Sequence, residues 1–317
     1  MHLKISDMDM LHGSLAGKLL LFTLPIALSS MVQQLFNAAD TAVAGHFGSA
    51  NALAAVGTNT EIIVLIVTVS SGLSIGANVL IAKHVGRNEA EKLPAAVQTA
   101  MRLAMCIGVI GLLLGQIAAA PLLRLIRTPE EIFDAAALYL RIYMLGYPFL
   151  LLYDFGAACL RARGDSRYPF LALLLSGFAN VGLNLLFTAG LRMGVAGVAI
   201  ATDLSTMLSA FLVLRRLAKD AVFRFAILSQ RSARNGVWSI LKTGIPPAVQ
   251  GAVFCFANIF VQASVNCLGA DAIAGSTIAV NFEYVTYCII TAFGQTATTF
   301  TSQNHAAGEF GRCRRIL

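Results

Sequence analysis

Residues 18–48 read KLLLFTLPIALSSMVQQLFNAADTAVAGHFG. From Leu19 to Asp40 the run is long enough to cross a bilayer, which takes about 20 residues at the α-helical rise. It ends on an acid, and its polar residues are not scattered. Gln33, Asn37 and Asp40 stand at i, i+4 and i+7, so a helix gathers them into one polar stripe opposite an apolar surface. Two readings of Asp40 are open. It caps the span at the headgroup boundary, or it is one of the costly intramembrane acids that face a cavity, pair with a partner, or hold an ion or proton.

Composition sets the class. The chain is 57% hydrophobic and 12% charged, where soluble domains carry about 25% charged residues, so the sequence is that of a membrane protein. The opening MHLKISDMDMLHGSL has no apolar core ahead of a small-residue cleavage site, so the first apolar segment is expected to be retained as a span. The six cysteines, Cys106, Cys159, Cys255, Cys267, Cys288 and Cys313, show no CxxC spacing and read as small packing residues without a disulfide or metal framework.

Eight apolar segments follow one another: Leu19–Asp40, Leu53–Ala82, Ala95–Ile126, Ala135–Cys159, Tyr168–Leu191, Val195–Leu214, Ile240–Cys267 and Ile273–Gln303. Of the 23 Lys and Arg residues, sixteen fall after the even-numbered segments, including Lys83, Arg87 and Lys92, Arg161, Arg163 and Arg167, and Arg312, Arg314 and Arg315. The positive-inside rule then puts the amino terminus and the even loops in the cytoplasm, with the chain in the cell membrane. The net charge of +7 is a topology signal toward anionic lipid, and no nucleic-acid partner is expected. The longest connector mixes Phe223, Phe225, Ile227 and Trp238 with charges, which suits a helix lying on the inner membrane face or a plain cytosolic linker.

An internal repeat divides the chain there. Pro25, Asn37 and Gly48 recur as Pro246, Asn258 and Gly269 at an offset of 221. Asn59, Glu61, Gly72 and Gly86 recur as Asn281, Glu283, Gly294 and Gly308 at 222. Six spans separate the copies, so both keep one orientation, and parallel repeats in transporters hold substrate between two lobes. The expected organisation is a six-helix lobe over residues 1–217, a connector over 218–239, and the first two helices of an incomplete second lobe over 240–317. On that logic the chain is expected to be part of a longer parent. The stripe Gln250, Asn258, Gln262 and Asn266 would otherwise face lipid unpaired. At the register of 221, Asp40 corresponds to Val261, so the second copy lacks the acid.

Further polar residues sit at mid-span. Asn180 and Asn184 are one turn apart in segment five, and segment six carries Thr202 and Asp203. With Asp40 these offer carboxylate, amide and hydroxyl oxygens, which suit a hard cation or a proton on the carboxylate. Interhelical hydrogen bonding is the structural alternative. In the loop LRARGDSRYPF, residues 160–170, Gly164-Asp165 predicts a turn, Ser166 a cap for the next helix and Pro169 its first turn. The loop arginines are expected to fix the membrane face or to pair with Asp154.

These residues carry a resemblance. LP…QQLFNAADTAVAGHFG at 24–48, GLSIGANVLIAKHVGRNE at 72–89, LRARGDSRYPF at 160–170 and N…N…GVAGVAIAT from 180 to 202 are similar to the multidrug and toxic compound extrusion (MATE) transporters over nearly the whole chain. The resemblance implies an all-α polytopic membrane protein with twelve helices in the full-length parent, monomeric there. It implies antiport of drug-like small molecules against protons or sodium without a cofactor. It also implies a cation or proton site resembling Asp40 with Asn180, Asn184 and Thr202. Gln33, Asn37, Asn258 and Gln262 are the candidates for a substrate cavity. The second acid that some members carry in segment seven is missing, because Ala252, Val253, Phe254 and Cys255 occupy that neighbourhood.

Two other classes were weighed. A lipid-linked-sugar flippase of related two-lobe architecture would want cations on cavity faces, whereas the charges inside these segments are chiefly Asp40, Glu61, Asp154, Asp203 and Glu283, which favours cationic or amphipathic cargo. A membrane enzyme would want converging His, Asp or Ser groups. His2, His12, His46, His84 and His305 lie near segment ends or outside them.

Overall fold

The computed structural model describes residues 8–47, 50–126, 128–219, 234–266 and 270–317. Its elements are helices α1 (Leu15–Phe47), α2 (Ala50–Gly86), α3 (Leu93–Leu125), α4 (Glu130–Leu145), α5 (Tyr147–Ala162) and α6 (Arg167–Asn184). A wider π-type turn, Leu185–Gly190, extends α6, and α7 (Gly194–Lys219), α8 (Arg234–Asn266), α9 (Ala270–Ala306) and the short α10 (Phe310–Ile316) follow. Most of the expected inner-face connector, residues 220–233, lies outside the described residues.

Apolar run length decides most of these elements. Six described helices are long and apolar enough to cross a membrane, and the pair α4–α5 makes a seventh span bent by 45°. The eighth expected segment falls in α9, a helix of 37 residues. The chain is a multi-pass membrane protein. Local chemistry sets the ends: Pro94 sits in the first turn of α3, where its missing N–H costs nothing, and Glu130 and Glu131 open α4 against its positive dipole end.

Three expectations need correction. Segment four was read as one span, yet it breaks at Gly146, because Pro148 withholds the N–H that would continue the ladder. The cap of α6 comes from Asp165, whose Oδ1 accepts the Tyr168 N–H at 2.9 Å; Ser166 makes no capping bond. Of the two roles expected for the loop arginines, a hydrogen-bonded pair with Asp154 is not formed among the described residues: Asp154 Oδ2 is buried without a hydrogen-bond partner, while Arg161, near it, donates to Ala157 O and to Gln295 Oε1. The predicted turn at Gly164 is present, with φ of +96°. Here the backbone of Met8 lies where a Cβ would stand, so only glycine fits.

Helix α2 is the axis of the bundle, packing on α8, α5, α9 and α4. Around it α3 meets α5, α6 meets α7, and α1 meets α6 and α9. Without a hydrophobic driving force in lipid, close approach of small residues supplies the attraction. At Gly76 a Cβ would overlap the carbonyl oxygen of Ile240 on α8, and at Gly86 the carbonyl oxygen of Gln303 on α9. Helices α1 and α8 have 33 residues each, and α2 and α9 have 37 each. The pairings α1 with α9 and α8 with α2 are those a two-fold exchange of the copies requires.

Among the described residues the two pairs of helices meet at one end. From Ile240 up to Cys255, α8 runs against α2, with Gly251 and Cys255 on Thr68. Beyond that level Glu61 on α2 and Asn258, Phe260 and Val261 on α8 are exposed. Among the described residues the result is a wedge, closed at the end where α1 begins and open at the other.

Candidate functional site

Asp40 lies in the last third of α1 and is 7% exposed. Packing one turn earlier aims it inward: the Phe36 ring occupies the space that a Cβ on Gly177 of α6 would need, and meets Phe178 edge-on at 5.9 Å. Asp40 therefore faces the seam between α6 and α7. Asn184 Nδ2 donates to Asp40 Oδ1 at 2.5 Å and to Asn180 Oδ1 at 3.2 Å. Thr202 Oγ1 lies 3.2 Å from Asp40 Oδ2 and 3.0 Å from Val198 O, and its single proton serves one of them at a time. Asn180 Nδ2 reaches Thr202 Oγ1 at 3.5 Å. The structure thus brings together all four residues expected for the cation or proton site.

No basic side chain forms an ion pair with Asp40 among the described residues. Its donors among the described residues are an amide and a hydroxyl. Asn184 Oδ1 and, one turn further along the chain, Thr188 Oγ1 are buried without hydrogen-bond partners among the described residues. Asn184 is the last residue of α6 and Thr188 falls in the π-type turn, a winding found frequently at functional sites. Carboxylate, amide and hydroxyl oxygens in one place are the donor set a hard cation such as sodium takes, and a buried carboxylate can instead hold a proton.

The cavity candidates fare differently. Gln33 is half-buried, Asn37 and Asn258 are exposed, and the side chain of Gln262 lies outside the described residues. Neither Asn37 nor Asn258 joins the Asp40 group. Asp203, next to Thr202, turns to another face, where its carboxylate sits against Gly146 at the break between α4 and α5. Asn59 is a packing residue, donating to Ala55 O and, across to α4, to Ala136 O at 3.0 Å. Among the described residues no three His, Cys, Asp or Glu side chains cluster as metal ligands do.

Sequence reasoning missed a polar seam at the closed end. Asn78 Oδ1 accepts from Thr299 at 3.0 Å, Thr23 donates to Thr296 at 2.9 Å, Arg161 reaches Gln295 at 2.9 Å, and Gln303 donates to Ala162 O at 2.7 Å. A usable signal existed. Asn78 and Thr299 lie one position off the repeat register of 222, and residues near a two-fold axis meet their own counterparts.

Comparison with known proteins follows the same outline. The chain is 27% identical over 306 residues to a probable multidrug resistance protein, YoeA, of Bacillus subtilis, covering 94% of this chain and 66% of the relative. It is 26% identical to a FAD transporter of Shewanella oneidensis, covering 96% of this chain and 70% of that one. Among solved structures, an outward-facing conformation of a multidrug resistance MATE family transporter superposes with a TM-score of 0.89 at 22% identity, over 97% of this chain and 69% of that one. The chain spans about two thirds of the length of the curated relatives it matches. The MatE family model matches residues 25–186, half of the sequence and the part that contains Asp40, Asn180 and Asn184, and the chain belongs to that family of multidrug and toxic compound extrusion proteins.

Proposed function

We propose that this chain carries the ion-coupling half of a secondary antiporter that exports cationic or amphipathic small molecules against inward proton or sodium flow. The observation that carries this reading is the buried Asp40 carboxylate, bonded by Asn184 and Thr202 and without a basic partner among the described residues. A charge in the membrane interior without a counter-charge is costly, and exchange of its ion for cargo gives that cost a use. Antiport needs ion and drug to favour opposite arrangements of the helices, a coupling set by differential affinity. The equal lengths of α1 and α8 and of α2 and α9 support reading residues 1–217 and 240–317 as a lobe and the start of its repeat. Val261, at the position of Asp40 in that repeat, leaves the second copy without a counterpart of that acid.

The test is export of a cationic dye from vesicles, with the proton and sodium gradients imposed separately. Asp40→Asn keeps the shape and removes the charge, and is expected to abolish gradient-driven export at normal membrane abundance. Wild-type export from that variant would refute the role. The closed end of the wedge, which carries Lys83, Arg87, Arg312 and Arg314, is taken as cytoplasmic. Labelling of a cysteine placed in the connector by an external impermeant reagent would reverse that orientation.

Anionic cargo is a second reading. Arg161, half-buried at the floor of the wedge with Ser74, Asn78 and Thr298 around it, favours it. The dinucleotide named for the Shewanella relative is the kind of substrate to try.

A further inference from the structure

The segment ahead of α1 is folded back into the bundle. Asp9 Oδ1 accepts from the N–H groups of Leu11 and His12 at 3.0 and 3.2 Å, which makes the segment a turn. The turn exposes its carbonyl oxygens, and two cations collect them. From α1, Lys18 Nζ donates to Asp9 O at 2.6 Å and to His12 O at 2.7 Å. From α10, Arg312 donates to Met10 O at 3.3 Å and to Gly13 O at 3.1 Å. Asn304, near the end of α9, adds a bond to Met10 O at 3.2 Å, and its own Oδ1 accepts from Arg312 Nε at 3.1 Å.

Met10 is the apolar counterpart of these bonds. Only 1% exposed, it packs with Phe22 and Ile26 of α1 and Ala292 and Phe300 of α9. Phe22 and Phe300 meet edge-on at 5.5 Å. The Met8 backbone lies on Gly164, in the turn between α5 and α6. One short segment therefore touches α1, the α5–α6 turn, and the α9–α10 corner. It crosses the line between the two copies of the repeat.

We propose that residues 8–13 are a strap that locks this end of the wedge shut, with Met10 as its plug and Lys18 and Arg312 as its two fasteners. The inference rests on the export reading, in which this end must open in the other half of the cycle. When α1 moves away from α9, the carbonyls held by Arg312 and those held by Lys18 cannot stay together. The strap must let go of one side, and Met10 must leave its pocket. Charge-assisted bonds of this kind are roughly twice as strong as neutral ones, so the strap weights the equilibrium toward the form closed here.

Hydrogen exchange of the whole chain in lipid nanodiscs tests this. Arg312→Gln and Lys18→Gln each undo one fastener from opposite sides of the line. Each is expected to speed exchange about tenfold or more, the consequence of losing one or two charge-assisted bonds, over 8–26 and also over 296–304 of α9. Residues 96–104 of α3, away from the strap, serve as the reference and are expected to keep their wild-type rate. Wild-type exchange in both variants overturns the proposal. So does faster exchange confined to 8–13, because the helices would then stay closed without the strap. Should Arg312→Gln loosen α3 as well, Lys18→Gln decides, and loosening of α3 in both variants counts against the strap. Loss of export in Asp40→Asn tests the coupling reading, whereas the exchange pattern of the two fastener variants tests the strap. Failure of the coupling reading and failure of the strap are thus read on different observables.

Discussion

Gly76→Ala adds one methyl group to α2 at the floor of the wedge. Its Cβ would overlap the Ile240 carbonyl oxygen and come within 3.0 Å of the Gly244 nitrogen. Both are backbone atoms, so no rotamer change relieves the overlap and α8 has to move back. Gly57→Ala, in the same helix, meets nothing within 4 Å. Each substitution gains about 0.5–1 kcal/mol of helix propensity, and this cancels in their difference. What is left is the overlap, about 1–3 kcal/mol for a methyl forced into a packed interface. At about 2–4 °C per kcal/mol for a chain of this size class, the two variants should melt about 2 to 12 °C apart, with Gly76→Ala the lower. Fluorescence-detected size-exclusion thermostability in detergent measures both under one set of conditions. A Gly76→Ala protein as stable as Gly57→Ala would refute the claim that backbone contact between α2 and α8 closes this end.

Two other predictions concern the loops, and a third the site. Asp165→Ala removes the acceptor for the Tyr168 N–H and should cost about 0.5–2 kcal/mol, while Ser166→Ala, lacking a capping bond, should cost far less; melting curves of the two compare them. Beside Glu89, Lys92 and then His84 hold the carboxyl down to about 2, below its ordinary 4.5. A lowered folded-state value gives stability that is full above 4.5 and lost as pH falls toward 2. The wild-type advantage over Glu89→Gln should therefore be present at neutral pH and fade over that window, and a pH-independent difference would exclude the ionised contact. Thr202→Val keeps the volume but removes one of the two donors on Asp40, and should lower gradient-driven dye export; Thr202→Ser should restore most of it.

How far the residues announced this arrangement differs from element to element. The spans were legible because an apolar run of bilayer length has few other fates in lipid. Asp40, Asn180, Asn184 and Thr202 were legible for a related reason: polar groups at helical spacing inside such runs need one another. The break at Gly146 was missed because hydropathy does not register backbone, although the sequence GYP carries both a glycine and a proline as warning. The π-type turn after Asn184 gave no comparable sign. The turn of residues 8–13 gave no sign either. Its partners Asn304 and Arg312 stand almost a whole chain away, and no local pattern encodes a contact at that separation.

The break at Gly146 also bears on biosynthesis. Helices α4 and α5 have 16 residues each, about 24 Å apiece, so neither alone traverses about 30 Å of hydrocarbon and the joint falls inside the bilayer. Bare backbone there is tolerated only when protein covers it. Part of that cover is Asp203 of α7, a residue translated well after the joint has left the ribosome. Pro148 breaks the ladder whether or not α7 is present, so until α7 arrives the joint lacks this cover, and the same late partner delivers Thr202 to Asp40.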